Sequence, residues 1–295
     1  MKYGVLYVLI FAYALFDAQT VVGGAADGIN MAISVVVPSL FPFILISILS
    51  SQSIAGRKYA ILRPLEKLCG MPDGSGSLLV LGLCGGYPVG AQCVANAYEH
   101  GVLTKEDAQR LLGFCNNAGP SFIFGMIGGI LKAPLLCWFL WLGQVLSAII
   151  VGALLPGKSK YTSRLEAGKR ISVTNGLEKT VLICSKIAGW VIIFRALLAV
   201  ADKWILQQLP VLWNTGLAGL LELSNGCIRL HYVDTPLSRF LLCGCMLTFG
   251  GVCVHLQTKS VVNTLSIKWF LLGKGLQTLI ILPILLLLWK ITVAF

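Results

Sequence analysis

Charge is what this sequence has least of. Of its 295 residues only 12% are Asp, Glu, Lys or Arg, 12 acids against 23 bases, while 57% are apolar. A soluble domain carries roughly a quarter charged residues and needs a mostly polar surface. A water-soluble enzyme, a disordered chain and a nucleic-acid-binding domain are therefore set aside together, and the mean hydropathy of +0.84 points to a bilayer instead. The formal charge of +11 sits between long apolar runs, where basic residues orient membrane spans.

Metal and disulfide chemistry are missing as well. Three histidines, His100, His231 and His255, are scattered, and the ten cysteines stand singly in apolar stretches without any C-x-x-C pair. The nearest two, Cys243 and Cys245, flank one glycine. Such thiols read as small packing residues in a reducing environment, so no cofactor or metal is expected. No G-x-x-x-x-G-K-[ST] loop is present to drive transport with ATP from this chain alone, and no serine and histidine face each other convincingly as in an intramembrane protease. The expectation is a protein that is not an enzyme.

What the sequence does have is runs long enough to cross about 30 Å of hydrocarbon at about 20 residues each. In the first half these are 28–56, 74–98, 111–131 and 133–157, preceded by a shorter run, 3–16, read as an uncleaved first span. In the second half they are 177–200, 209–230, 240–257 and 267–289, with Lys186, Arg195, Glu222 and Lys274 within or near them. Ionisable groups at membrane depth are costly and are functional candidates by default.

The loops set the orientation. Basic residues dominate 51–77 and 158–170, which places both loops in the cytoplasm, whereas the acidic balance of 99–110 places that loop outside. An even number of crossings must then separate the two basic loops, so 106–131 is expected to enter and return on one side, broken at Asn116-Asn117-Ala118-Gly119-Pro120-Ser121. A kinked ordinary span is the alternative. The second half repeats the order: span, span broken at residues 222–226, hairpin 240–258 broken around Gly250, span. Each unit crosses three times, which inverts the second relative to the first. The expected architecture is an all-α polytopic membrane protein: an N-terminal span and connector (1–27), a first repeat (28–157), a basic cytoplasmic linker (158–176) and a second repeat of inverted topology (177–295). Each repeat holds a broken span and a re-entrant hairpin.

The segments Pro38-Ser39-Leu40-Phe41-Pro42-Phe43, Gly86-Tyr87-Pro88-Val89-Gly90-Ala91, Phe114 to Phe122, Glu222-Leu223-Ser224-Asn225-Gly226 and Phe249 to Gln257 resemble the sporulation integral membrane protein YlbJ (stage V sporulation protein V) family. That resemblance spans nearly the whole chain and implies paired nucleoside-recognition Gate domains and kinship with concentrative nucleoside transporters. It further implies a setting in the bacterial cell membrane or outer forespore membrane, and dipicolinic acid as cargo. Fold transfers more safely than substrate; the short central linker leaves room for a different cargo.

Candidate substrate-binding residues follow from where the helices break. Asn116, Asn117, Gly119 and Ser121 would offer freed amides and side-chain donors to an anion, or would merely cap the break. Gly86 and Pro88, with Gly85 and Gly90, allow close backbone approach, for packing or for ligand. Glu222, before Ser224 and Asn225, is protonated, paired, or part of proton or sodium coupling. Arg195 would grip a carboxylate or snorkel to the surface, as Lys186 would; Gly250 and Gln257 are weaker candidates. The expected partners are a small anionic metabolite and the lipid bilayer, with no nucleic acid. A nucleoside or other organic anion, a non-transporting scaffold of a sporulation complex, and self-association all remain open.

Overall fold

The computed structural model describes residues 2–54, 59–157, 172–262 and 264–294, and among them it contains helices and no strand. Among the described residues five helices are long and apolar enough to cross a membrane: Ala18–Ser50, Pro134–Leu154, Val173–Trp204, Pro236–Val262 and Lys268–Ile291.

In chain order, α1 (Lys2–Phe16) precedes α2 (Ala18–Met31), which continues through a π-helical stretch, Ala32–Val36, into α3 (Val37–Ile54). After α4 (Arg63–Leu68) come α5 (Gly76–Gly85), α6 (Val89–Glu99) and α7 (Lys105–Cys115). A second π-helical stretch, Ser121–Ile127, leads into α8 (Gly128–Leu131), followed by α9 (Pro134–Leu154) and α10 (Val173–Trp204). The rest is α11 (Val211–Leu221), α12 (Leu223–Arg229), α13 (Pro236–Phe249), α14 (Gly251–Val262) and α15 (Lys268–Ala294).

The polarity of these helices is that of a protein in lipid. On α9 the residues Leu135, Trp138, Leu142, Leu146 and Ile150 are exposed at helical spacing, while Gln144 and Ser147 are fully buried. An apolar stripe of that length facing water would be an aggregation site, whereas hydrocarbon tolerates it and forces the polar groups inward. With five such candidates for crossing, the chain is a multi-pass integral membrane protein.

Two arginines mark the ends of the bundle. Arg110, buried midway along α7, donates to the carbonyls of Cys69 at 2.8 Å, Leu155 at 3.4 Å, and Gly70. Glu66 closes the same end by accepting from the amides of Gly74 and Gly76 at 3.0 and 2.9 Å, which fixes the start of α5. Arg229, at the end of α12, donates to both carboxylate oxygens of Asp202 and, at 2.7 Å, to Asn214 Oδ1. Lys203 beside it pairs with Asp17 at 2.7 Å. The entry to α5, the start of α7 and the exit of α9 thus share one end. The start of α2, the exit of α10, the start of α11 and the exit of α12 share the other.

That arrangement corrects two expectations. The loop 99–110 lies with the chain on either side of the two basic loops, not opposite them, because Arg110 holds residues 69–70 and 155 directly. The segments that fold back on themselves are 76–99 and 211–229, whereas 106–131 and 240–258 run on through their breaks. Glycine pairs make the difference. A Cβ on Gly82 would lie 3.1 Å from the Gly90 Cα, and one on Gly226 only 2.2 Å from the Gly219 Cα, so α5 packs against α6 and α11 against α12 backbone to backbone. Gly119-Pro120 does break the helix, but a π-helical stretch resumes it at Ser121, and Pro236–Val262 remains long enough for one crossing.

Residues 27 and 28 lie inside α2, and α1, at 15 residues, is about 22 Å long and shorter than a bilayer crossing. Of the linker 158–176, residues 158–171 lie outside the described residues, and 173–176 form the first turn of α10.

Candidate functional site

Four interruptions of helix converge in the core. The first is the turn Gly86-Tyr87-Pro88, entered by Gly86 at φ 82°. It packs on the break in the next helix: a Cβ on Gly119 would lie 2.9 Å from the Gly86 Cα. The second hairpin does the same with its own neighbour, since a Cβ on Gly251 (φ 76°) would sit 2.7 Å from the Gly219 carbonyl oxygen and 3.4 Å from the Leu223 amide. The two halves are then tied crosswise. Tyr87 donates its hydroxyl to the carbonyls of Leu247 and Thr248, at 3.2 and 3.3 Å, just before the α13–α14 break. Asn116 accepts from the Ala91 amide at 3.2 Å and donates to Thr258 Oγ1 at 3.0 Å.

Between these breaks lies a cavity of ≈ 50 Å³ lined from both halves, with Ser39, Tyr87, Gly119, Glu222, Ser224 and Gln257 among its walls. That volume holds a few water molecules, and a small-molecule site needs about 300 Å³ or more.

Glu222 supplies the carboxylate of the cavity wall. It is buried and extended (φ −143°, ψ 119°), so it ends α11 and caps α12. Its Oε1 accepts from the Ser224 amide at 3.0 Å, and its Oε2 accepts from the Asn225 amide at 2.8 Å and the Asn225 side chain at 2.7 Å. Asn225 in turn accepts from the Arg195 guanidinium, which approaches the exposed Asp27 at 3.5 Å. Arg195 therefore reaches Glu222 at second hand, through an amide side chain, and its contact with Asp27 leads to the surface. Lys186 is exposed on the opposite side of α10.

A second polar cluster lies behind the first turn. Lys274 of α15 is fully buried and donates to Asn117 Oδ1 at 2.9 Å and to Gln277 Oε1 at 2.5 Å. Gln277 donates to the same Asn117 oxygen at 3.0 Å. The Tyr87 ring, which walls the cavity, has its centroid 5.3 Å from the Lys274 Nζ.

Of the residues expected from sequence, Gly119, Glu222, Ser224 and Gln257 line the cavity. Asn225 and Arg195 stand behind Glu222. Asn117 belongs to the Lys274 cluster. Gly86, Asn116 and Gly250 make the contacts between breaks, and Pro88 caps α6. Ser121 Oγ is buried without a partner. Sequence reasoning missed Tyr87, Ser39 and the pairing of Lys274 with Gln277. The available signal was a lysine and a glutamine three residues apart, on one helical face of an otherwise apolar run.

The fold defines a polytopic helical membrane protein whose core is built from interrupted helices. Over 96% of its length the chain is 23% identical to the sporulation integral membrane protein YlbJ of Bacillus subtilis (strain 168), 83% of which the match covers. No protein-family model and no solved structure matches it.

Proposed function

We propose that this chain is a secondary transporter of a small anionic or polar metabolite, acting in sporulation, with dipicolinic acid across the outer forespore membrane as the favoured cargo. The sporulation role rests on the similarity to YlbJ and the cargo on the family resemblance alone. In this reading the order long helix, hairpin, broken helix, long helix, which occurs from α2 to α9 and again from α10 to α15, is a pair of Gate-like repeats of inverted topology. Hairpins 76–99 and 211–229 are their re-entrant elements, entering from opposite faces. No enzymatic step forms part of it.

The observation that carries the proposal is the meeting of four helix breaks around a cavity that holds a carboxylate. A structural scaffold gains nothing from non-helical backbone and Glu222 at the centre of a bundle, whereas alternating-access transporters place their sites at such junctions. The cavity's own charge constrains the cargo: an anion beside an ionised Glu222 is repelled, so a carboxylate substrate enters with a proton or with sodium.

Reconstitution into vesicles tests this. Saturable uptake of labelled dipicolinate, competed weakly by nucleosides, is expected, and Glu222→Gln should lower it about tenfold or more, equivalent to about 1.4 kcal/mol. Preference for a nucleoside would move the cargo to the alternative class. No saturable uptake of either, together with Glu222→Gln cells that sporulate like wild type, would sink the transporter reading.

A further inference from the structure

Glu222 is the obvious ionisable group in this core, yet Lys274 is the one whose surroundings permit two charge states. Its amine has two side-chain acceptors, Asn117 Oδ1 and Gln277 Oε1. A neutral amine has two N–H donors and satisfies both oxygens; an ammonium has a third, which is left to the rings of Tyr87 and Phe270, at 5.3 and 5.7 Å. Either form therefore fits the same cluster.

Among the described residues nothing around it fixes the charge. The titratable groups near it are Tyr87 from the first hairpin, Cys115 from α7 and His255 from α14. α13 brings Thr248, which pairs with Thr278 of α15. Among the described residues no acid pairs with Lys274, and none of α9 or α13 brings it a charge. Glu222 differs on this point, being held by two backbone amides and backed by Arg195. A buried ammonium without a counter-charge is costly at membrane depth, and release of its proton removes that cost.

A route for the proton is present in the wall. Tyr87 separates Lys274 from the cavity, and the hydroxyl that holds Tyr87 in place ends on carbonyls of the opposite half. Separation of the two halves would break those bonds, free the ring to swing and open Nζ to cavity water.

We propose that Lys274 is a proton-binding site of the core. Its ammonium gives one proton to water in the cavity when Tyr87 moves, the amine keeps its two donors on Asn117 and Gln277, and reprotonation from the other face completes the cycle. The coupling of that proton to cargo rests on the transporter reading above.

The test uses the full chain in vesicles. In wild type, a gradient of one pH unit should change the steady-state accumulation of labelled dipicolinate about tenfold, since one unit is a factor of ten in proton activity, and a sodium gradient should do nothing. Lys274→Gln should still exchange internal for external label but lose the response to the pH gradient. Gln277→Glu keeps the lysine and gives it a carboxylate that holds its proton, so it should lose the response in the same way. If Lys274→Gln accumulates label like wild type, the lysine is not the site, although the transporter reading stands. If Lys274→Gln does not fold, Gln277→Glu decides, and an unchanged pH response there overturns the inference. Wild type driven by sodium alone also overturns it. Wild type that takes up no tested cargo defeats the transporter reading and the coupling with it.

Discussion

The two hairpins solve one geometric problem with different chemistry. Hairpin 76–99 turns through Gly86, Tyr87 and Pro88, carries no charge at its tip, and faces a lysine that stands on another helix. Hairpin 211–229 turns at a single residue, and that residue is the carboxylate. An arginine marks the outer end of each, but Arg110 belongs to the next helix and is buried against three carbonyls of neighbouring segments, while Arg229 is part of its own hairpin and sits at a partly exposed end with an acid. The difference divides the labour. A charge fixed on a moving tip travels with the tip, and a charge held beside it is covered or uncovered by it. In the mechanism proposed above the first hairpin is a shutter for Lys274, and the second carries Glu222 itself.

The sharpest way to break this comparison is to add a methyl group to each hairpin's inner face. On Gly82 a Cβ would lie 1.6 Å from the Cys115 carbonyl oxygen, which is backbone and cannot step aside. On Gly219 the nearest atom is the Met246 sulfur at 2.0 Å, with the Gly226 Cα at 3.4 Å. A methionine side chain rotates away cheaply. Gly82→Ala is expected to cost about 4 kcal/mol, or to prevent assembly, and Gly219→Ala about 1 kcal/mol, read from heat-unfolding midpoints in detergent. Equal effects would mean the two hairpins are packed alike.

The anchors come next. Arg110→Met leaves the carbonyls of Cys69, Gly70 and Leu155 without their donor in a buried site, at about 3 kcal/mol. Arg229→Met leaves Asp202, whose side chain is 23% exposed, able to find water, at about 1 kcal/mol. A reversed order in the same unfolding measurement would show that the Arg229 end is the better packed.

Much of this was legible in the sequence, and the failures are specific. The four places where helices break were all marked by Gly, Pro, Asn or an isolated acid in apolar surroundings, because those residues disrupt helix whatever the tertiary context. Which breaks turn the chain back was not legible. That depends on whether the flanking halves can touch, and Gly82, Gly86 and Gly90 are spaced as on one continuous helix, so the pattern itself hides the turn that brings Gly82 and Gly90 together. The proline at 120 carried the greater weight, and the chain passes it by a π-helical stretch. Charge parity went wrong for the same reason: the acids at 106 and 107 sit in the first turn of α7, where Thr104 accepts from the Asp107 amide, so they serve the helix N-terminus rather than topology. Glu222 was found because a carboxylate is conspicuous among leucines. Lys274 was visible too, but its partners Asn117 and Gln277 lie 157 and 3 residues away, and only the fold joins them.

Removing one acceptor at the second tip is a finer probe. Glu222→Gln preserves shape but offers one oxygen to donors that now meet two, so the Ser224 or Asn225 amide loses its partner. About 2 kcal/mol is expected, again by unfolding in detergent. A stability unchanged from wild type would mean that the second carboxylate oxygen contributes nothing to holding the start of α12.

The smallest effect is expected where the two hairpins' roles meet. Tyr87→Phe keeps the ring that covers Lys274 and removes only the hydroxyl bonded to Leu247 and Thr248. Its stability cost is about 1 kcal/mol, because the two carbonyls keep their places near a helix break. The informative consequence is in motion: with the latch gone but the shutter in place, the core should open more often without any change in the groups that bind. Hydrogen exchange at the amides around Gly86 and Gly250 should rise about fivefold, as 1 kcal/mol implies for a local opening, while exchange at the Arg110 end stays as in wild type. Faster exchange throughout the bundle would show instead that Tyr87 supports the whole fold, and that the first hairpin is no more a moving part than α9.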